Sequence, residues 1–268
     1  MKWMRRGAVA VVAGLCLASL AAGWLAPAGY ARQHRDCPNA PPSRVFLLGT
    51  DELGRDALAR LLYGSRVSLS LAPAAAGLAT LIAAIAGISA GYWGGWLETC
   101  VMRVTDVVLS VPWLFLLLAV RAVLPLNVPP AGSVGITFLL LGLLGWAGPA
   151  RVVRSAACEL KARDFMMQAR ARGSHPLRVL TRHMLPALGP ILTAQFWTTV
   201  PVFILSEANL GFLGLGVAEP LPSWGNLLAG LENLESFTTS PWRLAPLLLL
   251  VVVMICLHLV VSREDLSR

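Results

Sequence analysis

The chain has 268 residues, of which 56% are hydrophobic and only 13% are charged, and its mean hydropathy is +0.68. A soluble domain carries roughly 25% charged residues, so the composition excludes an ordinary soluble protein and predicts a polytopic membrane protein. The net charge is +8. Because the basic residues mostly lie at the ends of apolar runs, this charge indicates membrane topology rather than nucleic-acid binding.

The first apolar run covers residues 7–28 and follows the basic start of the chain, MKWMRR. Two interpretations are open. The sequence Ala26-Pro27-Ala28 fits the small-x-small pattern of a signal-peptide cleavage site. The run of 22 residues is, however, longer than the roughly 7–15 residues of a signal core and is sufficient to cross a hydrocarbon layer of about 30 Å. We therefore favour a retained transmembrane helix over a cleaved signal peptide.

A polar connection follows at residues 29–66, and its second half, TDELGRDALARLLYGSR, has a helical pattern. Asp51 precedes Arg55 by four positions and Asp56 precedes Arg60 by four, which is the favourable order for ion pairs on a helix. Leucines occupy another face of the same segment. The pattern predicts a short amphipathic helix from Asp51 onward, lying at the membrane interface.

Five further apolar spans are predicted, at approximately Val67–Trp93, Val107–Val123, Ser133–Ala150, Ile191–Gly214 and Arg243–Val261. The first of these five is dense in Ala and Gly, which allow backbones to approach closely, so we expect it to pack centrally in the bundle. Pro73, Pro112 and Pro201 lie inside spans and predict kinks.

Basic residues set the expected orientation. With the N-terminus inside, the cytoplasmic segments are 1–6, 94–106, 151–190 and 262–268, and they hold 14 of the 22 basic residues. Segment 29–66 disagrees with this orientation, since it holds six arginines and is placed outside. The strongly basic segment 151–190 decides the orientation, and both termini are predicted to be cytoplasmic.

Few polar groups interrupt the spans. Arg121 lies near the outer end of the third span and is expected to snorkel towards the interface. Glu207 lies well inside the fifth span and, with Asn209, is a candidate for a water-filled translocation path, although a structural acid near the outer face is an equal alternative. Beyond this span, Gly and Pro residues in 211–228 predict a bent re-entrant turn, and Trp224 is expected to lie at the membrane interface.

The sequence contains no recognisable catalytic or nucleotide-binding motif. It has no G-x-x-x-x-G-K-[ST], no H-E-x-x-H and no G-x-S-x-G. The five cysteines and four histidines show no metal-like spacing, so we expect free thiols and no metal site. Six spans without a relay of charged groups also argue against a complete proton-driven carrier. The chain is therefore not expected to be an enzyme. Its sequence predicts a membrane passage for a solute, driven by energy from another subunit.

The longest charged segment, residues 151–186, lies between apolar spans and has a net charge of +6. Its first half has helical spacing, Gly173 and Pro176 break the helix, and a short second helix is predicted over Leu177–Leu185. Two basic helices joined by a glycine-containing turn indicate a docking element.

This segment resembles the loop with which permease subunits of bacterial ABC importers engage their ATPases, whose pattern is E-A-A, three residues, Gly and a later Leu-Pro. Ala169, Gly173, Leu185 and Pro186 match that pattern. Three further blocks resemble the C-type subunit of the dipeptide, oligopeptide and nickel branch: LGTDELGRDALARLLYGSRVSLSLA, GYWGG with MRVTDVVLSVP, and SEANLGFLGLGVAEPLPSWGNLL. The resemblance covers nearly the whole chain.

The resemblance implies an all-α, six-span permease of the type I kind in the bacterial plasma membrane. It divides the chain into an N-terminal helix with an extracytoplasmic segment (1–66), a transmembrane domain (67–262) and a short cytoplasmic tail (263–268). The implied partners are a second permease subunit, two cytoplasmic ATP-binding subunits and an extracytoplasmic solute-binding protein. This chain itself would bind no cofactor, because ATP is used by the partners. The implied coupling residues are Ala169, Arg170, Ala171, Gly173, Ser174, His175, Pro176, Leu177, His183, Leu185 and Pro186.

Two departures from the family pattern bear on coupling. Met167 and Gln168 stand where the family has Glu and Ala, and the usual C-terminal G-D-x-L-R-D-x-L-D-P is reduced to SREDLSR. We favour a divergent, working importer of peptides or similar small solutes over a non-transporting remnant. The alternative function is a six-span secondary carrier or channel that acts without ATPase partners. The sequence does not name the solute.

Overall fold

The computed structural model describes residues 2–26, 29–125, 128–231 and 240–261, and within these ranges every regular element is a helix. The helices are α1 (Lys2–Leu20), α2 (Ala22–Leu25), α3 (Ala57–Trp93), α4 (Gly95–Ser110), α5 (Trp113–Val123), α6 (Pro130–Leu144), α7 (Ala147–Lys161), α8 (Asp164–Ala171), α9 (Pro176–Val179), α10 (Leu185–Phe212), α11 (Trp224–Ala229) and α12 (Ala245–Val261). A π-helical turn, Leu180–Met184, joins α9 to α10, and a 3₁₀ turn, Pro241–Leu244, precedes α12. The predicted all-α fold is confirmed. The predicted tail, 263–268, lies outside the described residues.

Within the described ranges, five helical segments are long and apolar enough to cross a membrane: Trp3–Leu20, Ala57–Trp93, Pro130–Lys161, Pro176–Phe212 and Pro241–Val261. The pair α4 and α5 is bent by 89° and supplies a sixth crossing if it is one broken span. This number agrees with the predicted multi-pass bundle.

Pro112 ends a helix instead of kinking one. The preceding residue, Val111, is extended (φ −92°, ψ 129°), because proline clashes sterically with a helical residue before it. The kink predicted at Pro112 within Val107–Val123 is thus a full break between two helices. Pro73 and Pro201, in contrast, lie inside helices α3 and α10, which continue through them.

The predicted interfacial helix is not a separate element. Helix α3 begins at Ala57 and runs without a break to Trp93. The side chain of Asp56 caps its start, because Oδ1 accepts the backbone N–H of Leu58 at 2.9 Å. Residues 51–55 form a turn instead of a first helical turn, since Gly54 has φ +71° and Asp51 Oδ1 accepts the N–H of Arg55 at 2.8 Å.

The chain forms two compact units. Unit 1 comprises Met1–Ala72, Val120–Phe138 and Pro201–Arg268, and unit 2 comprises Pro73–Ala119 and Leu139–Val200. In unit 1, α12 packs against α1 and α11. In unit 2, α7 packs against α4, and two ion pairs, Arg154–Glu98 and Arg151–Asp106, join these helices.

Small residues of α3 make the core of unit 2 dense. A Cβ added at Gly87 would lie 2.7 Å from the carbonyl oxygen of Ala150, and one at Gly91 would lie 2.7 Å from Cβ of Ala157. Only glycine therefore permits α3 and α7 to approach so closely. The part of α3 in unit 2 packs in the interior as predicted, and its buried alanines are Ala75, Ala76, Ala79, Ala83, Ala84 and Ala90.

Candidate functional site

The turn between α8 and α9 is fixed by local hydrogen bonds. Gly173 follows α8 with φ +71°, and the N–H of Ser174 donates to the carbonyl oxygen of Ala169 at 3.3 Å. This 6→1 bond with a left-handed glycine is the Schellman arrangement that terminates a helix. Pro176 opens α9, and Nδ1 of His175 accepts the N–H of Leu177 at 3.3 Å. The predicted glycine turn followed by a proline-initiated helix is confirmed.

The helix that begins at Pro176 is much longer than predicted. It continues from α9 through the π-helical turn into α10 and spans 37 residues, Pro176–Phe212. The predicted short helix Leu177–Leu185 is thus the first part of a candidate membrane span.

One face of the turn is anchored in the core of unit 2. Met166 and Ala169 of α8 pack with Val179, Leu180 and Met184 of the following helix. The same cluster contains side chains of α3 and α7, namely Ala84, Ile88, Tyr92, Val153 and Ala157. Packing in this cluster with α3, α7 and the helix that begins at Pro176 holds α8 in a fixed position.

The opposite face presents apolar side chains to solvent. Leu177 is 60% exposed, and Phe165, Met167 and Leu185 are also exposed. Basic residues of the same segment are also exposed: Arg163, Arg172, Arg178 and Arg182. Exposed apolar side chains accompanied by charged ones are typical of an interaction surface. Met167 contributes apolar area to this surface.

The predicted coupling residues divide between these two faces. Ala169 is buried, while Ser174 and His183 are half-buried. The exposed members are Ala171, Gly173, His175, Pro176, Leu177, Leu185 and Pro186. The side chain of Arg170 lies outside the described part of the chain.

Glu207 is held inside unit 1 by its own chain. Its side chain has no exposed surface, and Ser68 Oγ donates to Oε2 at 3.1 Å. The same hydroxyl accepts the backbone N–H of Trp224 at 3.3 Å, so Ser68 links the acid to the start of α11. Asn209, two positions further, is exposed. The two predicted path residues are therefore not brought together, and Glu207 has the surroundings of a structural acid.

Two interface predictions are wrong. Trp224 is fully buried, and its indole Nε1 donates to Ser65 Oγ at 2.9 Å, which satisfies the polar end of the ring within the protein. Arg121 does not snorkel, because it is 2% exposed and its guanidinium reaches the carbonyl oxygen of Pro125 at 3.4 Å and Ser133 Oγ at 3.5 Å. The bent loop after α10 is confirmed, with Gly214 at φ +74°.

A charged network that sequence reasoning missed lies at the start of α3. Glu219 accepts from Arg55 Nη1 at 2.6 Å and from Arg60 Nη2 at 2.8 Å. Asp51 completes it, with Arg55 Nε at 2.6 Å. The expected pair Asp51–Arg55 is confirmed, but in a turn, and Arg60 pairs with Glu219 instead of with Asp56. The available signal was Gly54 within TDELGRD, because a glycine inside a helical charge pattern favours a turn there.

The network shifts the pKa values of Glu219 and Arg55. Burial opposes ionisation of Glu219, but the hydrogen bond and charge of Arg60, with the charge and hydrogen bond of Arg55, lower its pKa below the ordinary value. Burial likewise opposes the charge of Arg55, and Asp51 and Glu219 outweigh it and raise the pKa of Arg55. Glu219 and Arg55 are thus each kept in the charged form by their neighbours.

The described residues thus form apolar helices with an exposed basic and apolar turn between α8 and α9. A family model described as "Binding-protein-dependent transport system inner membrane component" matches residues 83–263. The chain belongs to this family. As an inner membrane component, it is a multi-pass membrane protein and belongs to a class of transport permeases, not to a class of enzymes.

Relatives of this inner membrane component carry matching names. The chain is 36% identical over 205 residues to the oligopeptide transport system permease protein OppC of Bacillus subtilis, covering 76% of this chain and 64% of the relative. It is 36% identical over 202 residues to the dipeptide transport system permease protein DppC of the same organism, covering 75% and 61%. For OppC of Mycobacterium tuberculosis, the identity is 36% over 259 residues, covering 95% and 87%. The chain thus spans less than two thirds of the length of the two Bacillus relatives.

Proposed function

We propose that this chain is a transmembrane permease subunit of an ATP-driven importer of peptides or similar small solutes. The observation that carries this proposal is the family match over residues 83–263. Relatives named as oligopeptide and dipeptide transport permeases support peptides as the solute. The absence of nucleotide-binding motifs from the full sequence agrees with a subunit whose energy comes from ATP bound elsewhere.

The segment 151–190 is the proposed coupling element. Its exposed apolar residues, Leu177 foremost, would enter a groove of an ATP-binding subunit, while the surrounding arginines hold the element at the cytoplasmic side. Closure of the ATP-binding subunits would displace the α8–α9 turn. Because Pro176 is continuous with α10, the displacement would tilt a membrane-spanning helix and switch the passage between two states.

The proposed assembly has four further components: a second, similar permease subunit, two cytoplasmic ATP-binding subunits and an extracytoplasmic solute-binding protein. The name of the family includes a binding protein, which supports this last component. Asn209, exposed on α10, is retained as a candidate residue of the solute path. Glu207 is better explained as an anchor for α11.

The decisive experiment uses three glycine variants in the reconstituted importer. Gly173→Val places a β-branched residue at φ +71° and should separate ATP hydrolysis from uptake, because the turn then deforms. Gly173→Asn tolerates this conformation better and should retain coupling. Gly95→Val is the matched control, since Gly95 also has positive φ (+58°) and open space around it but lies outside the coupling element.

The measured quantity is solute taken up per ATP hydrolysed. We expect a loss of about tenfold or more for Gly173→Val and little change for Gly95→Val, since a tenfold change corresponds to about 1.4 kcal/mol and the strain at such a site costs of order 1–3 kcal/mol. Equal coupling in both valine variants would contradict the role of the turn. Solute flux through the purified chain without ATP-binding subunits would instead establish the alternative carrier or channel.

A further inference from the structure

A cavity of about 370 Å³ lies in unit 1, between the loop that precedes α3, helix α11 and the start of α12. Its volume falls within the range of about 300–1,000 Å³ that small-molecule sites occupy. No sequence pattern indicates this cavity, because its walls come from segments far apart in the chain. Neither the coupling element nor Glu207 contributes to it.

The wall of this cavity is largely apolar. Leucine side chains from three segments line it, Leu48 and Leu53 before α3, Leu61 within α3, and Leu227 on α11. Pro246 closes the side towards α12. Such a surface suits an aliphatic or aromatic side chain of a ligand, which would be removed from water there.

The charged groups around the cavity are arranged asymmetrically. Two of the three lining acids are well exposed, since the side chain of Glu219 is 49% exposed and that of Glu52 is 56% exposed, while that of Asp51 is 22% exposed. The lining arginines are less exposed, at 12% for Arg55, 4% for Arg60 and 15% for Arg243. The carboxylates of Glu52 and Glu219 are therefore more accessible to a ligand than the guanidinium groups.

The arginines donate hydrogen bonds to these carboxylates but do not occupy all of the acceptor sites on the carboxylate oxygens. Arg55 contacts Oε2 of Glu219, Arg60 contacts both of its oxygens, and Arg243 Nη2 contacts Glu52 Oε1 at 3.0 Å. A carboxylate has about four lone-pair sites, and these bonds use three at Glu219 and one at Glu52, so each acid retains acceptor capacity. The lowered pKa of Glu219 means that this acid is ionised at neutral pH.

We propose that this cavity binds a short peptide by its free α-ammonium group, with the adjoining apolar side chain against the leucine wall. The carboxylates of Glu52 and Glu219 accept the ammonium hydrogens, and charge-assisted bonds of this kind are about twice as strong as neutral ones. This proposal rests on the proposed function and adds to it a recognition site for the peptide's amino end, separate from the membrane-spanning helices.

The test uses the full chain in nanodiscs of phosphatidylglycerol, a lipid without an ammonium group, and saturation-transfer NMR. The probe is leucyl-leucine, and N-acetyl-leucyl-leucine is its counterpart without the ammonium charge. We expect binding of the free dipeptide and about tenfold weaker binding of the acetylated one, because acetylation removes a charge-assisted bond worth roughly 1.4 kcal/mol.

Two variants locate the site. Glu219→Gln and Glu52→Gln should each weaken binding of leucyl-leucine several-fold; the second is included because Glu52 is mostly exposed and does not take part in the Arg55–Arg60 network. Asp106→Asn is the control, since it removes an exposed acid from unit 2 and should leave the affinity unchanged. Equal binding of both dipeptides, or unchanged affinity in both glutamine variants, would overturn the proposal.

Two further results distinguish a peptide site from a lipid site and from a site without a role in transport. If the dipeptide signal disappears when phosphatidylethanolamine is added to the discs, the site belongs to a lipid ammonium and the peptide assignment is wrong. If the complete importer takes up leucyl-leucine normally with Glu219→Gln and Glu52→Gln combined, the cavity has no part in transport while the proposed function stands. Failure of the wild-type importer to transport any peptide would instead count against the proposed function.

Discussion

Arg55 and Glu219 are separated by 164 positions in the sequence, yet Arg55 Nη1 lies 2.6 Å from Glu219 Oε2. This contact joins the loop before α3 to the loop after α10. Arg60 reinforces it from within α3, with Nη2 at 2.8 Å from Glu219 Oε1. The loop before α3 and the loop after α10 are thus joined by an ionic network whose residues also line the cavity.

Removing the buried arginine of this network should destabilise the protein. Arg60→Met leaves Glu219 and Asp51 with one cation instead of two. We expect the free energy of unfolding to fall by about 1–2 kcal/mol. This value lies between the ~0.5 kcal/mol contributed by exposed ion pairs and the roughly 3–5 kcal/mol lost when a fully buried pair is broken. Thermal unfolding in detergent measures the effect. Arg151→Met is the control, because its pair with Asp106 is exposed on both sides, and an equal loss there would contradict the expectation.

The same network predicts a dependence of stability on pH. The pKa of Glu219 is lowered in the folded protein from an ordinary value of 4.5. The unfolded chain therefore binds a proton more readily, so Glu219 stabilises the fold above its ordinary pKa, and this contribution is lost as the pH falls through the folded pKa. The difference in melting temperature between wild type and Glu219→Gln should be constant from about pH 7 to 5 and shrink below it. If the difference in melting temperature instead grows as the pH falls, the predicted direction of the Glu219 contribution is wrong.

The contact between α3 and α7 predicts opposite outcomes for one substitution at two glycines. Gly→Ala normally stabilises a helix by roughly 0.5–1 kcal/mol. At Gly135 of α6 a Cβ would meet nothing within 4 Å, whereas at Gly91 it would lie 2.7 Å from Cβ of Ala157. Gly91→Ala should therefore lower the free energy of unfolding by about 1–3 kcal/mol through overpacking. Gly135→Ala should leave the free energy of unfolding unchanged or raise it. Thermal unfolding compares them, and stabilisation by Gly91→Ala would show that the helices are not so close.

The hydrogen bond that holds Trp224 gives a prediction with a control in the same helix. Ser65→Ala leaves the buried indole N–H without its acceptor, which should cost about 1–3 kcal/mol. The hydroxyl of Ser70 bonds only to carbonyl groups of its own helix in the described structure and is exposed, so Ser70→Ala should change stability by less than about 0.5 kcal/mol. Melting temperatures of the two variants measure the difference, and equal values would argue against the role of Ser65.

Helix starts, helix ends and turns that depend on residues close together in the chain could be predicted from the sequence. The turn at Gly173 and the helix start at Pro176 were expected from residue type alone, and the structure confirms them because both rest on hydrogen bonds spanning at most five positions. The break at Pro112 was expected as a kink and is a full helix end. The class of the protein followed from its apolar runs.

The sequence by itself determined a multi-pass helical protein and its family, because apolar run length, glycine and proline act locally. Only the tertiary structure decided that Arg60 pairs with Glu219, that Trp224 and Arg121 are buried, and that a cavity opens beside the acids. Each of these depends on segments separated by long stretches of chain, and the position of a charge along a helix does not reveal which distant loop will cover it.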